Sequence, residues 1–100
     1  MNREQLALAV NERQAVIDRV RRVLIESLGV RRAPDEIDPD APLFGTGLGL
    51  DSVDAVELVV SLETEFGVHF EPGAMSRRVM RTVGTVTDAV MALLKRDAHG

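Results

Sequence analysis

The chain has 100 residues, 45% of them apolar, and a net charge of −4, a composition that suits one folded domain and excludes a disordered chain. It has no cysteine, which excludes disulfides, thiolate metal sites and thiol nucleophiles, and its two histidines, His69 and His99, form no local ligand pair. Only Phe44, Phe66 and Phe70 are aromatic, and with a negative net charge the chain is poorly equipped to stack on bases or bind a phosphate backbone, so nucleic acid is not an expected partner.

The opening Met1-Asn2-Arg3-Glu4-Gln5 runs into interleaved charges rather than an apolar leader. No apolar run approaches the roughly 18 residues of a membrane span, and the expected address is the cytoplasm. Residues 4–28 place Leu6, Val10, Val16, Ile17, Val20, Val23, Leu24 and Leu28 at helical spacing, which predicts one long amphipathic helix stopped by Gly29. Residues 30–51 read as a long ordered loop, because Pro34, Pro39 and Pro42 break helix while Gly45, Gly47 and Gly49 permit positive φ. Leu43, Phe44, Leu48 and Leu50 are its expected anchors. So long a loop in a small domain is often functional.

Residues 52–66 predict a second helix, with Val56, Leu58, Val59, Leu62 and Phe66 facing the core and Gly67 ending it. Residues 72–81 read as a short third helix opened by Pro72 and carrying Met75, Val79 and Met80. Thr85-Val86-Thr87-Asp88 matches a capping box and starts a last helix whose inward stripe is Val86, Ala89, Val90, Leu93 and Leu94. The sum is an all-α fold, a small four-helix bundle with a long loop between the first and second helices.

Charge is segregated along this plan. Residues 33–76 hold ten acids and no Lys or Arg, and all twelve basic residues lie at 3–32 or 77–96. The plain explanation is a solvated acidic face. The second helix, however, sets Asp54, Glu57, Glu63 and Glu65 around Val53 and Val60. Apolar residues rimmed by one sign of charge suit the docking of a basic partner.

Gly49-Leu50-Asp51-Ser52-Val53-Asp54 is the informative segment. A serine that opens an apolar helix is ordinarily its N-cap. Its setting changes that balance. Leu43-Phe44-Gly45, then Asp51-Ser52-Val53-Asp54-Ala55-Val56-Glu57-Leu58, then Leu62-Glu63-Thr64-Glu65-Phe66-Gly67, and finally Thr82-Val83-Gly84-Thr85-Val86 together resemble the acyl carrier protein family. The resemblance covers a single domain with a core at about 16–94, preceded by residues 1–15 as an extension of the first helix.

The resemblance implies a four-helix bundle of acyl-carrier type in which the Ser52 hydroxyl carries 4′-phosphopantetheine taken from coenzyme A. The thiol at the tip of that arm would hold acyl groups as thioesters, and the carrier itself would do no chemistry. The implied partners are a phosphopantetheinyl transferase and basic-surfaced biosynthetic enzymes such as an acyl transferase and a ketosynthase, met by a monomeric carrier. Carried over by position, Asp51, Val53, Asp54, Glu57 and Val60 would meet those enzymes. Leu58, Val59, Leu62, Phe66, Phe70, Ala89 and Val90 would line the core, part of which opens to shelter an acyl chain. Independently, a helix N-terminus with unpaired N–H groups favours a phosphate, worth roughly 0.3–1 kcal/mol at an exposed site. Asp51 and Asp54 oppose it.

The chain departs from the family in its long first helix, in Pro72-Gly73-Ala74-Met75, and in Arg77, Arg78 and Arg81 where many carriers are acidic. Gly49-Leu50 stands where peptidyl carriers show Gly-Gly, which favours acyl over aminoacyl cargo, of the kind handled by discrete fatty acid or polyketide carriers.

Three other readings compete. A hydrolase built on Ser52 and His69 lacks the Gly-x-Ser-x-Gly elbow and a preceding strand. A phosphate loop at Gly45-Thr46-Gly47-Leu48-Gly49 lacks both a strand and Gly-Lys-Ser/Thr. An unmodified adaptor with the same fold, in which Ser52 is only a cap, remains the alternative.

Overall fold

The computed structural model describes residues 2–99, with the side chains of residues 6–10 and 97–99 outside that description. The long amphipathic stripe forms α1, Arg3–Glu26. Asn2 caps it. The Asn2 side chain accepts from the Gln5 N–H at 2.8 Å, and the Gln5 side chain accepts from the Asn2 N–H at 3.1 Å. This reciprocal pair satisfies two donors that a helix start otherwise leaves unpaired. Of the expected stripe, Val16, Ile17, Val20, Val23 and Leu24 are buried and Leu28 is half-buried beyond the helix end. Leu6 and Val10 lie outside the described side chains.

Residues 27–51 connect α1 to α2, Ser52–Phe66. Within this connection Pro34–Glu36 makes one 3-10 turn, and the Glu36 carboxylate accepts from the Ala33 N–H at 2.8 Å. Ile37 is then buried in the core, while Arg21 Nε donates to the Ile37 carbonyl at 3.0 Å and ties the connection to α1.

Leu58, Leu62 and Phe66 are the buried positions of α2, and Gly67, at φ +65°, closes it in the left-handed conformation that favours glycine. Val56 does not face the core as expected. It is 67% exposed, with Val53 and Val60. At about 100° per residue it follows Val53 by three positions and precedes Val60 by four, which puts all three on one face.

The short third helix expected at 72–81 is not formed. Residues 71–81 run through successive turns, in which the Ala74 N–H bonds the Glu71 carbonyl at 2.9 Å and one helical turn closes from the Met80 N–H to the Ser76 carbonyl at 3.0 Å. The turn is not continued, because the Thr82 N–H that would extend it is taken by Thr85 Oγ1 at 2.9 Å, and the Arg81 carbonyl accepts from the Leu43 N–H at 3.0 Å. Among the described residues the four helical segments are therefore α1, the 3-10 turn, α2 and α3, Val83–His99.

The last helix starts earlier than the Thr85 pattern suggests. Thr82 Oγ1 accepts from the Thr85 N–H at 3.0 Å and Thr85 Oγ1 accepts from the Thr82 N–H at 2.9 Å. Thr82 is thus the capping residue, and Thr85 fills the reciprocal place three residues on.

The core sits between α1 and the two helices it packs against, α2 and α3, with Ile37, Leu43 and Leu50 of the connection and Val68, Phe70 and Met80 beyond α2 completing it. Arg13 and Asp88 tie α1 to α3 at 3.2 Å. Two cations of α1 converge on Glu65 of α2, Arg22 at 2.9 Å and Arg19 at 3.3 Å, and the Arg19 guanidinium lies 4.3 Å from the centre of the Phe66 ring. No strand occurs among the described residues, only two isolated bridges, Pro42 with Thr82 and Phe44 with Leu50.

Candidate functional site

The site is built where the connection runs into α2. Leu43 and Leu50 are both buried and are joined by the Leu50 N–H donating to the Leu43 carbonyl at 3.1 Å. The residues between them form a closed turn, with the Leu48 N–H on the Pro42 carbonyl at 3.1 Å. Gly47 is required here by space rather than by φ, since a Cβ would overlap the Pro42 carbonyl oxygen. The turn fixes the height and direction at which the chain enters α2.

Asp51 is the N-cap of α2. Its Oδ1 accepts from the Val53 N–H at 3.0 Å and the Asp54 N–H at 2.9 Å, while the Asp54 carboxylate accepts from the Asp51 N–H at 3.0 Å. This acidic capping box takes the role that a serine at the helix start ordinarily fills. Ser52 is the first residue of the helix, is exposed, and its hydroxyl enters no hydrogen bond among the described residues. The same geometry corrects the expectation that unpaired N–H groups here await a phosphate, because Asp51 already occupies two of them.

Ser52 stands on the rim of a groove of about 640 Å³. Its lining comes from two stretches of chain: Pro42, Phe44, Leu50, Asp51, Ser52 and Ala55 on the α2 side, and Met75, Arg77, Met80 and Arg81 from the turn segment. An exposed nucleophilic oxygen beside a mostly apolar groove with two guanidinium groups suits a covalently attached, partly apolar, anionic substituent. Arg77, Arg81, Met75 and Met80 were not legible as neighbours of Ser52. The available signal was two methionines and two arginines interleaved in a stretch broken by Pro72 and Gly73.

Of the other expected site residues, Val53 and Val60 are 72% and 57% exposed, Glu57 is exposed and Asp54 is half-buried in its cap. Glu63 and Glu65 do not join them as free acids. Glu63 accepts from the Phe70 N–H at 2.9 Å and lies 2.9 Å from His69 Nδ1, and Glu65 is held by Arg19 and Arg22. His69 lies past the far end of α2, whose rise of about 20 Å separates it from Ser52 and rules out a triad. Among the described residues no cluster of acids and histidines suits a metal ion, and no helix is long and apolar enough to cross a membrane.

A family model described as a phosphopantetheine attachment site matches residues 18–93. An acyl carrier protein of Zymomonas mobilis subsp. mobilis is 38% identical over 73 residues, which are 73% of this chain and 83% of that protein.

Proposed function

The chain belongs to the phosphopantetheine-binding carrier family, and from that premise we propose that the Ser52 hydroxyl is the attachment point of its covalent 4′-phosphopantetheine. The observation that carries the assignment is the division of labour at the start of α2. Asp51 makes the cap, and the exposed Ser52 hydroxyl is left free at the edge of the groove. The site fits the group, since the oxygen is accessible to a transferase and the adjoining groove is large enough for a flexible chain. When bound, the group supplies a terminal thiol that carries acyl groups as thioesters.

Attachment exchanges the Ser52 O–H bond for an O–P bond and breaks the pyrophosphate bond of coenzyme A, so that its nucleotide half leaves. The protein's own residues present that oxygen, cover the groove and offer a face for recognition. The face comprises Asp51, Val53, Asp54, Glu57 and Val60, extended by the exposed Val56. We assign to it a phosphopantetheinyl transferase and basic enzymes of fatty acid or polyketide-type biosynthesis, such as an acyl transferase and a ketosynthase. The carrier is a monomeric cytoplasmic domain with no catalysis of its own. Leu50 before the Asp-Ser pair supports acyl rather than aminoacyl cargo.

The test is intact-protein mass after incubation with coenzyme A and a broad-specificity transferase. The natural sequence gains the mass of one arm, and Ser52→Ala gains none while keeping its helical spectrum. No gain with several transferases would overturn the assignment in favour of an unmodified adaptor.

A further inference from the structure

Three arginines near the site have no part in the ion pairs of the described residues. Arg13, Arg19, Arg21 and Arg22 of α1 all have carboxylate partners, whereas Arg77, Arg78 and Arg81 have none. Two of these three, Arg77 and Arg81, line the groove that Ser52 borders. Their position meets a specific electrostatic need. An anion esterified to Ser52 would lie beside the carboxylates of Asp51 and Asp54, and the helix N–H groups of Val53 and Asp54 are already taken by Asp51. The helix end therefore offers that anion less than helix ends usually do. A guanidinium supplies what is missing, since it bonds phosphate oxygens through charge-assisted, often paired, N–H groups.

We propose that Arg77 and Arg81 bind the phosphodiester of an arm attached at Ser52 and so fold the arm into the groove, against the carrier's own surface. The inference rests on Ser52 being the attachment residue. Of the oxyanions an arm can bring, the phosphodiester is the one that covalent geometry keeps next to Ser52. A carboxylate at the end of an acyl group is the other source of the same chemistry. The apolar lining from Phe44, Leu50, Ala55, Met75 and Met80 receives the uncharged part of the arm.

The experiment uses the full chain, labelled for NMR, before and after loading with coenzyme A and a transferase, with intact mass reporting the loading. The Nε–H resonances of Arg77 and Arg81 are expected to move on loading with the bare thiol arm. Arg22 of α1, paired with Glu65 near the far end of α2 and so about 20 Å of helix rise from Ser52, serves as the fixed reference. In the double variant Arg77→Gln/Arg81→Gln, which alters exposed side chains, loading still adds the arm's mass. The docked fraction of the arm, read from shifts of the groove amides, drops roughly three- to ten-fold. Full loading with no movement of either arginine overturns the inference and leaves the Ser52 assignment intact. Movement only when the arm carries a malonyl probe, and not with the bare thiol or an acetyl group, overturns the phosphodiester as the ligand and transfers the site to the cargo carboxylate. Absence of added mass removes the attachment assignment and this inference with it.

Discussion

Asp51 and Ser52 are neighbours with separate tasks. The carboxylate of Asp51 holds two N–H groups of α2, which frees the Ser52 hydroxyl from structural duty. Asp51→Ala removes the cap and should cost about 1 kcal/mol, read as a lower denaturant midpoint. Asp51→Asn keeps an acceptor oxygen for the cap and should leave that midpoint nearly unchanged. Both variants lose the charge that the proposed docking face would offer a basic transferase, so both should be loaded more slowly at low salt. Loading that slows only in the alanine variant would show that the charge of Asp51 has no part in recognition. The sequence pointed to Ser52 as the chemical residue, yet the rule that serine caps helices pointed at the same atom for a different reason. The Asp-x-x-Asp spacing of Asp51 and Asp54 was the signal that resolves the two, since an acid three residues into a helix reaches back to the cap's own N–H.

At the scale of the element, α2 has two apolar faces. Leu58, Leu62 and Phe66 are buried, and Val53, Val56 and Val60 are in solvent. The exposed face lies outside the core, and Glu57 lies beside it. Glu57→Lys should slow loading by partner enzymes at low salt and leave the helical spectrum unchanged, and unaltered rates would exclude this face as the docking surface. The three α-helices were legible because their apolar residues recur at helical spacing between clear caps. Val56 was not, because Val53, Ala55, Val56, Leu58, Val59 and Val60 form a nearly continuous apolar run in which spacing alone does not select a face. The 72–81 stretch failed for another reason. Its local pattern suits a helix, but the Thr82 N–H that would continue one is taken by Thr85, and the Leu43 N–H that meets the Arg81 carbonyl comes from nearly forty positions away, a contact that leaves no mark in local spacing.

At the scale of the whole molecule, the ends of the core are tied by charge. The Glu65 carboxyl is held below its ordinary value of 4.5, first by the hydrogen bond from Arg22, against partial desolvation, with Arg19 assisting. The same contact raises Arg22. Because the folded carboxyl is the stronger acid, its contribution to stability is complete above the ordinary glutamate range and disappears as pH falls through the lowered folded value. Glu65→Gln should therefore melt about 1–3 °C below the natural sequence at neutral pH. The gap should close as the solution is acidified below the usual carboxylate range. Melting curves at several pH values check both parts.

The turn segment from 71 to 81 is moored at its start, where the neighbouring Phe70 N–H reaches the Glu63 carboxylate at 2.9 Å, at its end, where the Arg81 carbonyl meets Leu43, and by the side chain of Met80, which is buried in the core. Between these moorings its backbone bonds are its own, from Ala74 to Glu71 and from Met80 to Ser76. One wall of the groove beside Ser52 is thus a strap tied at its ends and pinned by Met80, while the other wall is carried by α2 and the connection before it.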